Sequence, residues 1–212
     1  SCDVFFYKTI NQISLEKLNR TFKYFGFGQK TKIDMPNESK GLVPDRNYMK
    51  TRYGKYGWSK GVLLNLSIGQ GELLVTPLQV LNYTNLLSTK GLSPSCHFVF
   101  VDNLPSNVSP NLKSEVWNSI HKGMRDAVKS KNGTGKKADP NINGLELYGK
   151  TGTAENPHGD NHAWFVGWAD YYDKKYSIVV LLENAGSGGG VAAPMAKIIF
   201  NKLISNSDFV VK

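Results

Sequence analysis

A switch of periodicity at Leu145 limits the folds open to this chain of 212 residues. Beyond it, three segments read as strands: Leu145 to Ala154, Ala163 to Ala169 and Tyr176 to Glu183, with turn-rich sequence between them. Links this short join antiparallel neighbours, so the segments form a three-stranded meander. Ser177-Ile178-Val179-Val180-Leu181-Leu182 is the most apolar run in the chain and predicts a central strand, or one covered on both faces. Gly186 to Gly190 then leads into a closing helix with Met195, Ile198, Ile199 and Leu203 on one face.

Before Leu145 the chain reads mainly as helix and loop. Val4, Phe5, Tyr7 and Ile10 mark a helix over residues 3–12, and Ser14 caps a second from Leu15 to Tyr24, stopped at Gly26. Residues 26–61 are rich in Gly, Pro, Lys and Asn and read as a long surface excursion, with a tail from Leu63 to Gly71. Thr76-Pro77 opens a helix that runs to Lys90-Gly91, and His97 to Val101 reads as a short strand. Val116, Ile120, Met124 and Val128 recur every four residues within 111–129, which is helical spacing, and Lys129 to Asn143 is a polar loop. Helices followed by strands predict an α+β fold, with a mainly helical part over 1–144 and strands plus a final helix over 145–205.

Composition excludes several classes. With 40% hydrophobic and 20% charged residues the chain is not of the disordered type, and no apolar run is long enough to span a bilayer. The start, Ser1-Cys2-Asp3-Val4-Phe5-Phe6-Tyr7, has neither the basic region nor the cleavage site of a signal peptide and no initiator Met. It reads as part of something longer, with any membrane anchor expected upstream. Two cysteines, Cys2 and Cys96, build no disulfide framework and have no metal-ligand spacing, so Cys2 reads as a small buried apolar residue and no metal or cofactor is expected. The formal charge of +9 is scattered and not interleaved with aromatic residues, which reads as a solvated basic surface rather than a nucleic-acid platform.

The chemistry-bearing sequence is Lys150-Thr151-Gly152-Thr153, at the end of the first predicted strand. Alone, such a triplet is equally a polar strand end with a turn glycine. It stands, however, in an ordered series. Ser1-Cys2-Asp3 opens an apolar stretch; Ile68-Gly69-Gln70-Gly71 precedes Thr76-Pro77-Leu78-Gln79; His162-Ala163-Trp164-Phe165-Val166-Gly167-Trp168 and Glu183-Asn184-Ala185-Gly186 follow. In this order, from Ser1 to about Ser205, the chain resembles the transpeptidase domain of class B penicillin-binding proteins, the elongation type (penicillin-binding protein 2) in particular.

The resemblance implies a penicillin-binding and β-lactamase-like fold, present here as its C-terminal part, and the three motifs S-x-x-K, S-x-N or S-x-D, and K-T-G. Ser1 and Asp3 fill the second, with Asp in place of the usual Asn; Lys150, Thr151 and Gly152 fill the third. Acyl transfer needs an activated hydroxyl, a proton shuttle and donors aimed at the oxyanion. On this pattern Ser1 relays a proton, Asp3 orients the network and Lys150 adds positive charge. The hydroxyls of Thr151 and Thr153 suit the carboxylate of a D-Ala-D-Ala stem peptide or of a β-lactam antibiotic. The backbone N–H of Thr153 serves as an oxyanion donor, and Gly152 lets substrate lie along the strand edge. His162 enters the Trp164 strand near the site but reads as structural, and Trp164 and Trp168 share one face as core or cleft wall.

The first motif, with the nucleophile, is expected upstream of Ser1 and outside this chain. Ser14-Leu15-Glu16-Lys17 and Ser119-Ile120-His121-Lys122 match it in spacing, but the first serine reads as a helix cap and the second lies mid-helix; Ser130-Lys131-Asn132 mimics S-x-N in a polar loop. The implied activity is peptidoglycan D,D-transpeptidation through an acyl-serine, with this chain alone inactive and without cofactor. Its setting is the cytoplasmic membrane, facing the periplasm, beside membrane proteins of the elongation machinery. Two alternatives stay open: a serine β-lactamase or β-lactam sensor, and a non-catalytic module that binds wall peptides or partner proteins. The family sheet has five strands against three here, so an unpaired edge is expected to require an upstream segment or a second chain.

Overall fold

The computed structural model of the chain describes residues 2–92, 96–99 and 110–205. Two compact units result: Ser1–Tyr83 with Ser95–Val108, and Thr84–Pro94 with Ser109–Lys212. Compactness therefore divides the chain elsewhere than at the change from helix to strand.

The first unit contains α1 (Asp3–Ile10), α2 (Leu15–Tyr24), α3 (Arg46–Tyr53), α4 (Lys60–Ser67) and the opening turns of α5 (Pro77–Ser88). Ser14 caps α2 as its sequence predicts, its hydroxyl accepting the Lys17 N–H at 3.2 Å. The α5 start is a reciprocal capping box. The Gln79 side chain accepts the Thr76 N–H at 2.9 Å while the Thr76 hydroxyl accepts the Gln79 N–H at 3.2 Å. Buried Leu15, Met49 and Leu66 form one apolar cluster, with Tyr48, Tyr53 and Trp58 against it.

Several expectations need correction here. Residues 26–61 are not one irregular excursion. Asp45 caps α3 by accepting the Tyr48 N–H at 2.8 Å, and this short helix exists to bury Met49. His97 to Val101 is no strand over its described part, since residues 97–99 are coil and bend. The Phe98 and Val99 amides donate instead to the Asp34 carboxylate, both at 2.7 Å, and residues 100 and 101 lie outside the described ones. Cys2 is exposed rather than buried. Of the α1 apolar set, Ile10 is buried while Val4 and Phe5 face solvent.

The second unit holds α6 (Ser114–Lys129), β1 (Leu145–Ala154), β2 (His162–Tyr171), β3 (Lys174–Leu182), a π-helical turn (Gly188–Ala192) and α7 (Ala193–Ser205). The sheet is antiparallel in the order β1-β2-β3, with Lys150 opposite Val166 and Ala163 opposite Leu182. The three strands and the closing helix thus stand as the sequence predicts. One sheet face, carrying Leu147, Phe165, Ala169, Ile178 and Val180, packs into a single buried cluster with Val128 and with Ala193, Ala196 and Phe200 of α7.

Here too the details shift. β2, not β3, is central among the described strands. β3 buries Ile178 and Val180 but leaves Val179 and Leu181 only partly covered, the alternation of a strand with one dry face. On α6 the indole of Trp117 goes inward and Val116 outward, because 3.6 residues per turn carries a strict four-residue repeat around the helix. α7 turns Ala193, Ala196 and Phe200 to the sheet and leaves Ile198 and Met195 exposed. The two alanines let the helix approach closely, and Phe200 fills the remaining space. Among the described residues, no helix is long and apolar enough to cross a membrane.

Candidate active site

Lys150, Thr151, Gly152 and Thr153 lie in succession near the end of β1, an edge strand of the described sheet. Strand alternation sends Lys150 to the face of Tyr148, and Thr151 and Thr153 to the other. The half-buried Lys150 ammonium donates to the Thr151 carbonyl at 2.7 Å, which holds its charge against the strand. Behind it, Tyr148 stacks on Trp168 at 4.8 Å and 9°, with the His121 ring 5.0 Å from Trp168. His121 is fixed in turn by a 2.7 Å contact from Nε2 to the Leu87 carbonyl. Burial, with the charge of Asp170 adding to it, pushes the Tyr148 phenol up from its ordinary range, so its ring stays neutral beside the lysine strand.

Two segments that sequence reasoning did not single out converge on the threonines. The Thr151 hydroxyl donates to the Thr134 hydroxyl at 2.8 Å. Thr134 sits in the loop after α6, folded back by the Gly135 N–H donating to the Ala127 carbonyl at 2.8 Å. The Gly133-Thr134-Gly135 sequence was the available signal, a hydroxyl residue between two glycines. From the other side, the Gly188 N–H donates to the Thr153 hydroxyl at 3.2 Å. Gly188 comes so near that an added Cβ would stand 2.2 Å from the Gly152 carbonyl oxygen and 2.4 Å from that of Trp164. Only a residue without a side chain reaches this place. At Gly152 an added Cβ would press on Trp164 Cβ at 3.2 Å, so the glycine suits the cross-strand pairing.

At this end of β1 the hydroxyls of Thr151, Thr153 and Thr134 gather on one face of the sheet and the Lys150 ammonium lies on the other. Of the other expected site residues, one belongs to the first unit and one lies outside the described residues. Asp3 is exposed in the first turn of α1, where the helix N-terminus favours a carboxylate, and it belongs to the first unit. Ser1 lies outside the described residues. The look-alike serines have other tasks. Ser14 caps α2, Ser119 donates to the Glu115 carbonyl at 2.7 Å within α6, and Ser130 follows the last turn of α6. Among the described residues no three His, Cys, Asp or Glu side chains gather as a metal site would need.

The family model described as penicillin binding protein transpeptidase domain matches residues 1–204. The peptidoglycan D,D-transpeptidase MrdA of Haemophilus influenzae is 32% identical over 95% of this chain and 34% of its own length. Among solved structures, penicillin-binding protein 2 of Pseudomonas aeruginosa, in complex with WCK 5153, matches with a TM-score of 0.83 at 30% identity, over 97% of this chain and 46% of that one. Penicillin-binding protein 2 of Helicobacter pylori, in complex with MreC, matches with a TM-score of 0.80 at 35% identity, over 95% of this chain and 38% of that one. The chain thus spans about a third of the length of the curated relatives it matches. With a family match running along almost every residue, the chain belongs to the penicillin-binding protein transpeptidase family.

Proposed function

We propose that this chain serves a peptidoglycan D,D-transpeptidase that works through an acyl-serine intermediate. The observation that carries the reading is the Lys150–Thr153 strand end, braced by Thr134 and Gly188. In the proposed reaction a serine hydroxyl attacks the carbonyl of the penultimate D-Ala, and the terminal D-Ala leaves with a proton. The amine of a second stem peptide then attacks the acyl-serine, forming the cross-link and returning the proton to the serine. Ser1 passes the proton, Asp3 orients it and Lys150 favours the anionic states. Thr151 and Thr153 bind the substrate carboxylate, and the Thr153 backbone N–H stabilises the oxyanion. Gly152 leaves the strand edge open to a peptide laid alongside it. A β-lactam antibiotic enters the same site as a substrate mimic.

The nucleophile in this reading lies outside residues 1–212. The cap role of Ser14 and the backbone bond of Ser119 support that, since each hydroxyl is already engaged inside or at the start of a helix. The working protein is held at the cytoplasmic membrane with this part in the periplasm. By analogy with the Helicobacter protein solved with MreC, it meets membrane proteins of the elongation machinery. Intact mass spectrometry after benzylpenicillin treatment tests the reading. The full-length protein is expected to gain one penicillin mass, lost on Lys150→Ala, while residues 1–212 alone gain none. An adduct mapping to Ser1, Ser14 or Ser119 would move the nucleophile into this chain; no adduct on the full-length protein would end the transpeptidase reading.

A further inference from the structure

Five hydrogen bonds gather the segment from Asn184 to Gly188 onto the ends of β1 and β2. The Ala185 and Gly186 amides both donate to the Asn161 carbonyl, at 3.0 and 2.9 Å. Asn156 Nδ2 donates to Asn184 Oδ1 at 2.7 Å. The Asn184 N–H donates to His162 Nδ1 at 3.0 Å, and the Gly188 N–H reaches the Thr153 hydroxyl. Asn184 itself has a φ of 52°, in the left-handed region that costs a residue with a side chain some free energy. Such a conformation persists where neighbours hold it.

A backbone N–H can only donate, so Nδ1 of His162 is the acceptor in this bond. We infer that His162 is a positioning residue: as a hydrogen-bond acceptor it pins Asn184, and through the short run to Gly188 it fixes where Thr153 stands on β1. The inference deepens the proposed function and rests on Thr153 serving the acyl group there. The lever is short. Three residues separate the pinned Asn184 from Gly188, and Gly188 already approaches Gly152 and Trp164 as closely as only a glycine can. Loss of the acceptor leaves the Asn184 N–H without this partner, and the Gly188–Thr153 bond loosens with it. The titratable groups that neighbour His162 along the chain are Glu155, His158 and Asp160 on the β1–β2 loop and Glu183 just past β3; its β1 register partner, Ala154, carries no charge.

The test compares full-length wild type with His162→Ala and His162→Asn, since Asn Oδ1 sits at the distance of Nδ1 and can accept the same N–H. The readouts are the acylation rate by a fluorescent penicillin and the hydrogen exchange of the Asn184 and Gly188 amides. Removing a whole oxyanion donor slows acyl transfer about 10²–10³-fold, so loosening its support is expected to cost about tenfold in His162→Ala. His162→Asn should recover to within about threefold of wild type. Exchange at both amides should quicken in His162→Ala and return in His162→Asn. Unchanged acylation in His162→Ala, or His162→Asn as slow as His162→Ala, overturns the inference. A wild type that takes no label overturns the transpeptidase reading instead, and the exchange still decides the clasp: unaltered protection in His162→Ala defeats it.

Discussion

In the sheet-bearing unit, Phe165, Leu147, Ala169 and Phe200 are all fully buried in one apolar cluster; the other unit buries Leu15, Met49 and Leu66 in one cluster and Phe27, Ile33 and Val43 besides, and polar side chains tie its loops together. Gln79, only 2% exposed, donates to the Gln29 and Lys40 carbonyls at 2.8 and 2.9 Å besides closing the α5 capping box. Asn19 donates to the Val43 and Pro44 carbonyls, and Glu72 accepts the phenols of Tyr53 and Tyr48 at 2.6 and 3.0 Å. The difference teaches how each unit tolerates change. A sheet with a dry face is held by area, which is insensitive to pH. Loops without regular pairing are held by a few directed bonds, each of which matters singly because its loss strands backbone groups.

Three substitutions would break or sharpen this contrast. Phe165→Ala, at the centre of the sheet core, is expected to destabilise by about 3–5 kcal/mol in denaturant unfolding, because the neighbours cannot collapse into the space. A loss below about 1 kcal/mol would mean that the cluster is not what holds the sheet. Gln79→Ala removes partners from one backbone N–H and two carbonyls, for a loss of about 1–3 kcal/mol, with faster amide exchange concentrated at residues 29–41 and 74–80. Uniform exchange across the first unit would show that Gln79 is not a local clamp.

Glu72→Gln is the smallest, at about 1–2 kcal/mol near neutral pH, and the most diagnostic. The hydrogen bond from Tyr53, helped by Tyr48 and the Arg52 charge, outweighs burial and holds the Glu72 carboxyl below its usual range. A carboxyl whose folded value is depressed stabilises the fold fully above its unfolded value of about 4.3, and the contribution is lost as pH falls through the lower folded value. The gap between wild type and Glu72→Gln should therefore close on acidification across that window. A gap that stays constant with pH would assign the loss to packing.

How much of this was legible beforehand depends on the range of the interactions. Leu145–Ala154 and Leu15–Tyr24 were read with the bounds they have, because alternation, a serine cap and a terminal glycine are local signals. α3 is not legible in the sequence, because eight residues rich in Lys, Arg and Asn have no apolar stripe; one buried methionine and an Asp45 cap suffice once the unit packs around them. The apolar run of β3 overstated its coverage, since its composition cannot tell a strand in the middle of a sheet from one at the side. On α7, large residues drew the reading to Ile198 and Met195, whereas close approach to the sheet favoured the small Ala193 and Ala196.

The site divides in the same way. The sequence by itself determined that Lys150, Thr151, Gly152 and Thr153 share a strand end, because residues adjacent in a strand stay adjacent in any fold that keeps it. Only the tertiary structure decided that Thr134 meets Thr151 across 17 residues and that Gly188 meets Thr153 across 35. Those contacts exist because the loop after α6 and the turn into α7 pack on the same sheet end, and the pattern of side chains along a segment says which face is dry but not which distant loop arrives there.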